Sequence, residues 1–179
     1  MNTIVVERFH ETPLDSEQLR TLENLVAQQD GEGRVQLRYA VLARDGSRSV
    51  SVYEAPEPAL VRAAHDDAGV PWERVWQALI LTGRGVSDLQ QRRERVMVQR
   101  AMPDAATLDQ YKALSAGAAD CMRRHRASLL EAYLSEDGLF GLCHFEGIDA
   151  ESVRRANLES QLPFTRAWSA AFHDDLGVA

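Results

Sequence analysis

The chain has 179 residues, 45% of them hydrophobic and 26% charged, enough for one large domain or two small ones and too apolar for extensive disorder. A formal net charge of −7 argues against a surface built for phosphate backbones, although short basic clusters occur at Arg92, Arg93 and Arg95 and at Arg123, Arg124 and Arg126. Two cysteines, Cys121 and Cys143, without a CxxC pattern argue against a disulfide framework and a structural zinc site; no apolar run nears the roughly 18 residues of a membrane span, and no signal-like pattern opens the chain, so a reduced cytoplasmic protein without nucleic-acid or membrane partners is expected.

The β-branched run IVVERFH at 4–10 predicts a strand. Asp15, with Gln18 three residues on, has the form of a capping box, and Leu19, Leu22, Leu25 and Val26 follow at helical spacing. Gly31 and Gly33 break that helix. Residues 35–43 and 49–54 read as a β-hairpin around Asp45-Gly46, whose sequence suits a type I′ turn. A second helix follows, with Pro56 in its first turn, Val61, Ala64 and His65 on one face, and Gly69 and Pro71 as its stop. Residues 72–81 form the last strand. The order β-α-β-β-α-β is that of a ferredoxin-like split motif, a four-stranded antiparallel sheet with both helices on one face.

Displaced by 92 positions, the chain aligns with itself without a gap. RYAVLARDG at 38–46 lies over LEAYLSEDG at 130–138. Arg8 meets Arg100, Glu54 meets Glu146, Pro71 meets Pro163, Arg74 meets Arg166 and Trp76 meets Trp168. The second half therefore predicts strands near 96–102, 128–135, 139–146 and 164–173, with helices near 105–125 and 149–160. The expected architecture is α+β: two tandem ferredoxin-like copies, 1–82 and 96–179, joined by a polar linker at 83–95. Each sheet leaves one face bare, so the two are expected to pack face to face as an intramolecular α+β barrel, a pseudo-dimer that could pair again as a homodimer.

The stretch VSVYEAPEPALVRAAHDDAGVP at 50–71 resembles a family of small bacterial domains of unassigned function with a described nickel-binding member. The resemblance rests on Glu7-Arg8, on Tyr53-Glu54-Ala55-Pro56, on His65 and on Gly69-Val70-Pro71. The second half departs from it at Gln99, Phe145, Gly147-Ile148, Asn157 and Gln161. The resemblance implies a dimeric α+β barrel and nickel binding, without a defined reaction.

Two candidate sites follow from the residues. If odd-numbered strand positions share a face, His65 meets Glu7, Ser51 and Tyr53. Imidazole beside carboxylate then makes His65 and Glu7 candidate ligands of a divalent metal such as nickel, against the plainer alternative of a helix histidine hydrogen-bonded to a tyrosine or to solvent. Even positions would carry Arg8 and Trp76, with Arg100, His144 and Trp168 as counterparts. These five, with Tyr53, are candidate ligand-binding residues lining a pocket between or beside the copies, the arginines available to an anionic group. The alternative is tryptophans in the core and arginines paired with acids. Cys121 and Cys143 have no activating motif and are expected to pack. The expected function is a small-molecule or metal-binding protein. The alternative is a cofactor-free enzyme of the dimeric α+β-barrel type, oxygenase-like or isomerase-like.

Overall fold

The computed structural model describes residues 1–82 and 94–173; most of the expected linker, 83–93, lies outside the described residues. The chain divides into two compact units, one built on Met1–Ala78 and the other on Leu79–Ala170.

The first unit runs β1 (Asn2–Phe9), α1 (Ser16–Ala27), β2 (Gln36–Ala43), β3 (Arg48–Ala55), α2 (Pro58–Asp67) and β4 (Arg74–Thr82). All its pairings are antiparallel, in the order β4-β1-β3-β2. The capping box of α1 is as expected: the Asp15 carboxylate accepts from the Gln18 backbone N–H, and the Gln18 side chain accepts from that of Asp15. The start of α2 differs from expectation. Pro58, not Pro56, stands in its first turn, where a missing N–H is one the helix leaves unpaired anyway. Gly69 follows the helix with φ +65°, as a left-handed terminator should.

The hairpin turn is not type I′. Only Gly46 has positive φ, and its N–H donates to Ala43 O at 2.8 Å, so Arg44-Asp45 form a type I turn closed by a left-handed glycine. This glycine is required twice over. A Cβ there would strike the backbone of Leu14, whose N–H donates to Gly46 O at 3.0 Å.

Strand pairing corrects the expected faces. Ile4 lies opposite Tyr53, Val6 opposite Ser51 and Arg8 opposite Ser49. Directly paired residues point to the same side, so even positions of β1 share a face with odd positions of β3. That face carries the helices: Ile4, Val6, Tyr53, Ala55 and Val75 pack with Val26, Val61 and Ala64, while Leu19 packs with Ala40 and Leu42. Glu7 pairs with Val50 and Arg74, and Trp76 with Val5, which puts both on the opposite face. Arg8 and Trp76 therefore lie on opposite sides of the sheet.

The second unit runs β5 (Glu94–Ala101), α3 (Leu108–Gly117), α4 (Ala119–Arg124), β6 (Ser128–Ser135), β7 (Phe140–Gly147), α5 (Ala150–Glu159) and β8 (Arg166–His173). Its strand order is β8-β5-β7-β6. Glu94 and Arg95, expected in the linker, are strand. The helix expected over 105–125 is two helices that turn at Ala118, a buried residue just after Gly117, the poorest helix former in the segment. Thr107 and Gln110 supply α3 with a reciprocal cap that the sequence reading overlooked. The core joins Val96, Val98, Tyr111, Met122, Ala132, Leu134, Phe145, Val153 and Ala156.

Registers recur between the units at a shift of 92. Ile4 opposite Tyr53 is matched by Val96 opposite Phe145, and Val5 opposite Trp76 by Met97 opposite Trp168. The bulge between Leu37 and Tyr39 recurs between Leu129 and Glu131. Gly138 repeats the turn of Gly46 with φ +72°, against the backbone of Ala106. Among the described residues no helix is long and apolar enough to cross a membrane.

Candidate functional site

The helix-facing side of the first sheet holds a polar cluster under α1 and α2. Arg8 is its centre and is 2% exposed. Its Nη1 donates to Glu23 Oε1 at 2.7 Å and to Ser51 Oγ at 2.8 Å. Its Nη2 donates to His65 Nε2 at 2.5 Å and to the Tyr53 hydroxyl at 3.3 Å. Ser51 Oγ donates to Glu23 Oε1 at 2.6 Å, and the Tyr53 hydroxyl donates to Glu23 Oε2. The imidazole is fixed from its other end, where Nδ1 donates to Val61 O at 2.8 Å, leaving Nε2 as an acceptor. Within this cluster, Arg8 Nε is buried without a hydrogen-bond partner among the described residues.

The charges follow from these contacts. Burial opposes the Arg8 cation, but Glu23 and Tyr53 outweigh it and hold the pKa above the ordinary arginine value. Burial likewise opposes the Glu23 carboxylate, and Arg8, Ser51 and Tyr53 together hold its pKa below the usual carboxylate range. Tyr53 is raised well above the usual phenol by burial and by the charge of Glu23. His65 is lowered to about 4 by burial and by Arg8. The cluster is thus a buried ion pair with a neutral histidine.

The metal candidates separate. His65 and Glu7 lie on opposite sides of the sheet, because antiparallel pairing joins Arg8, not Glu7, to the face of Ser51 and Tyr53. Glu7 instead accepts from Trp76 Nε1 at 2.8 Å and stands 3.5 Å from Arg74. Tyr53 contacts His65 edge-on, with ring centroids 5.6 Å apart, and the histidine's hydrogen bonds go to Arg8 and Val61 O, not to the tyrosine or to solvent. The residue that sequence reasoning missed is Glu23. Its signal was present: a carboxylate four residues after Leu19 and three before Val26 lies on the buried stripe of α1, where it needs a cation.

The second unit builds a different cluster at the corresponding place. Arg100, 5% exposed, donates from Nε to Cys143 Sγ at 3.2 Å, from Nη1 to Pro163 O at 2.8 Å and from Nη2 to Asn157 Oδ1 at 2.6 Å. Tyr111 OH lies 2.9 Å from Cys143 Sγ. Asn157 reproduces the bonding of His65, since its Nδ2 donates to Val153 O at 2.8 Å. Burial opposes the Arg100 cation while Cys143 and Tyr111 favour it, with a net rise in pKa. Like Arg8 and Trp76, Arg100 and Trp168 lie on opposite faces: Met97, next to Val98 on β5, pairs with both His144 and Trp168. Of the expected pocket residues, these two alone share a face of this unit. His144 is lowered to about 4 by burial and by Arg95. Trp168 Nε1 is buried without a hydrogen-bond partner among the described residues.

Above the Arg100 cluster the second unit opens into a groove of about 700 Å³. Its walls come from the loop after β5 (Met102, Ala106), from α3 (Gln110, Ala113, Leu114, Gly117) and from the turn after α5 (Gln161, Leu162, Pro163). The Pro163 carbonyl is the one that Arg100 holds, so the cluster braces one wall. Gln161 adopts φ +55° at the place where Gly69 stands in the first unit. That conformation costs a residue with a side chain about 1–2 kcal/mol. Sequence reasoning did not find the groove, because its signal is an absence of bulk: Ala106, Ala113 and Gly117 lie where Leu14, Thr21 and Leu25 lie 92 positions earlier.

Residues 97–169 match the model of a family described as nickel responsive protein SCO4226-like. The match lies in the second unit, not on the 50–71 stretch that carried the resemblance in the sequence. No curated protein matches the chain. Among solved structures, a mutant chlorite dismutase from Candidatus Nitrospira defluvii aligns with TM-score 0.53 at 12% identity, covering 98% of this chain and 92% of that one. An anthrone oxidase-like protein aligns with TM-score 0.52 at 9% identity, covering 96% and 90%. At such identities the likeness is one of α+β fold alone, and the sequence similarity to the nickel-responsive family spans 97–169.

Proposed function

We propose that the chain is a binding protein for a small, largely apolar organic molecule, held in the groove between the loop after β5, helix α3 and the turn after α5. The groove carries this reading. Its volume of about 700 Å³ suits a ligand of drug-like size, for which sites of roughly 300–1,000 Å³ are usual. Met102, Ala113, Leu114, Leu162 and Pro163 supply apolar wall, and Gln110, Ser160 and Gln161 supply hydrogen-bonding groups. A strained Gln161 in the wall fits a functional surface, where such strain gathers.

Nickel, which the name of the matched family raises, does not fit the residues present. Among the described residues no three of His, Cys, Asp and Glu come together. His65 Nε2 and the Glu23 carboxylate are both taken by Arg8. An enzymatic reading would rest on chlorite dismutase and the anthrone oxidase-like protein, and a shared fold carries no activity. We also infer that the two units descend from one ferredoxin-like domain by tandem duplication, with boundaries near 1–82 and 96–179. The registers recurring at a shift of 92 support this.

Titration with 1-anilinonaphthalene-8-sulfonate tests the groove. The native chain should bind it saturably, with enhanced fluorescence. Ala113→Leu, which places bulk in the groove from an exposed helix position, should weaken binding about tenfold, some 1.4 kcal/mol, without lowering Tm. Thr21→Leu, at the corresponding position of the first unit, should leave binding unchanged. Equal binding by Ala113→Leu and the native chain removes the reading.

A further inference from the structure

In the first unit, four side chains on three elements turn oxygen or nitrogen lone pairs toward the two terminal nitrogens of one guanidinium. Glu23 comes from α1, Ser51 and Tyr53 from β3, and His65 from α2. Carboxylate, hydroxyl, phenol and imidazole Nε2 form a donor shell of the kind that holds a first-row divalent cation. The imidazole is oriented as ligating histidines are, by a hydrogen bond from its other ring nitrogen to a backbone carbonyl, here Val61 O at 2.8 Å. The place such a cation would take is filled by the chain's own guanidinium. Arg8 nitrogens lie 2.7 Å from Glu23 Oε1, 2.8 Å from Ser51 Oγ and 2.5 Å from His65 Nε2.

We propose that Arg8 is a built-in cation occupying a latent divalent-metal site. The fit of the guanidinium is imperfect. Its Nε–H is buried without a partner, a cost that a compact ion would not carry. Removing the Arg8 side chain leaves Glu23 buried without its counter-ion and clears space beside His65 Nε2. Both changes favour entry of a metal ion: the carboxylate needs positive charge, and the imidazole lone pair is released.

Equilibrium dialysis of the full chain against Ni²⁺ and Zn²⁺ is the test. The native chain and His65→Ala should retain the same amount of metal. Arg8→Ala should retain one further equivalent, with a rise in Tm on adding metal, and Arg8→Ala/His65→Ala should lose both. If Arg8→Ala is unfolded alone, Ni²⁺ or Zn²⁺ should restore its native circular dichroism. The proposal is overturned if the native chain holds an equivalent that His65→Ala loses. It is equally overturned if folded Arg8→Ala retains no more metal than the native chain, or if the unfolded variant stays unfolded at saturating metal.

Discussion

Arg8 and Arg100 occupy the same register on the first strand of their units and are buried to nearly the same degree, yet they are neutralised differently. Arg8 faces a carboxylate, two hydroxyls and an imidazole. Arg100 faces a thiol, an amide oxygen and a backbone carbonyl. One cluster is a closed ion pair beneath well-filled helices. The other is held by a cysteine sulfur, an amide oxygen and a backbone carbonyl, and is tied through Pro163 to the wall of a groove. The same strand register thus supports a structural knot in one unit and a braced surface in the other. What separates them at this register is the chemistry of four or five side chains.

The largest effect should come from the ion pair. Glu23→Ala leaves Arg8 buried without its counter-ion and should cost about 3–5 kcal/mol in urea unfolding. Cys143→Ser, which gives Arg100 the hydroxyl that Arg8 already has, should cost about 1 kcal/mol. Equal costs would mean that the two clusters are energetically alike and would break the contrast.

Acid should also distinguish them. The pKa of His65 falls from 6.5 to about 4 on folding, so the unfolded chain takes up a proton that the folded chain refuses. Stability is therefore full above pH 6.5, declines as pH falls from 6.5 to 4, and loses no more through this group below that. His144 acts with the same sign over the same window, and His10, also lowered, adds to it. His65→Asn copies the Asn157 arrangement into the first unit. It should flatten the decline by up to about 1.4 kcal/mol per pH unit, measured by urea midpoints across the window. An unchanged slope would mean that His65 protonates as readily in the folded chain as in the unfolded one.

The smallest effect concerns the groove wall. Gln161→Gly relieves the left-handed backbone strain and should stabilise the chain by about 1 kcal/mol, while dye binding weakens through loss of a lining side chain. Stabilisation without weaker binding would show that the Gln161 side chain is idle in the groove.

The order of elements, the α1 cap and the helix stop at Gly69 were legible because each rests on local chemistry: a period, a side-chain cap, a glycine with positive φ. Sheet faces were not, because parity along one strand says nothing about parity on its neighbour until the register is known. The β1–β3 register puts even residues of β1 beside odd residues of β3, so Glu7 changed places with Arg8. The break at Ala118 was hidden by a segment whose alanines suit a helix throughout. Glu23 was legible in principle as a charge on a buried stripe, but its partner lies on another element, and only packing joins them. The groove is made of small side chains, which leave no positive mark in a sequence.

The glycine turns of the two hairpins carry one more implication. Leu14 and Ala106 are each held by main-chain hydrogen bonding to Gly46 and Gly138, an anchorage indifferent to what side chain the held residue bears. Bulk at that point can therefore be added or shed without the loop shifting course. A leucine caps the core in one half while an alanine opens the groove in the other. Invariant scaffolding at the turn is what leaves the loop free to diversify.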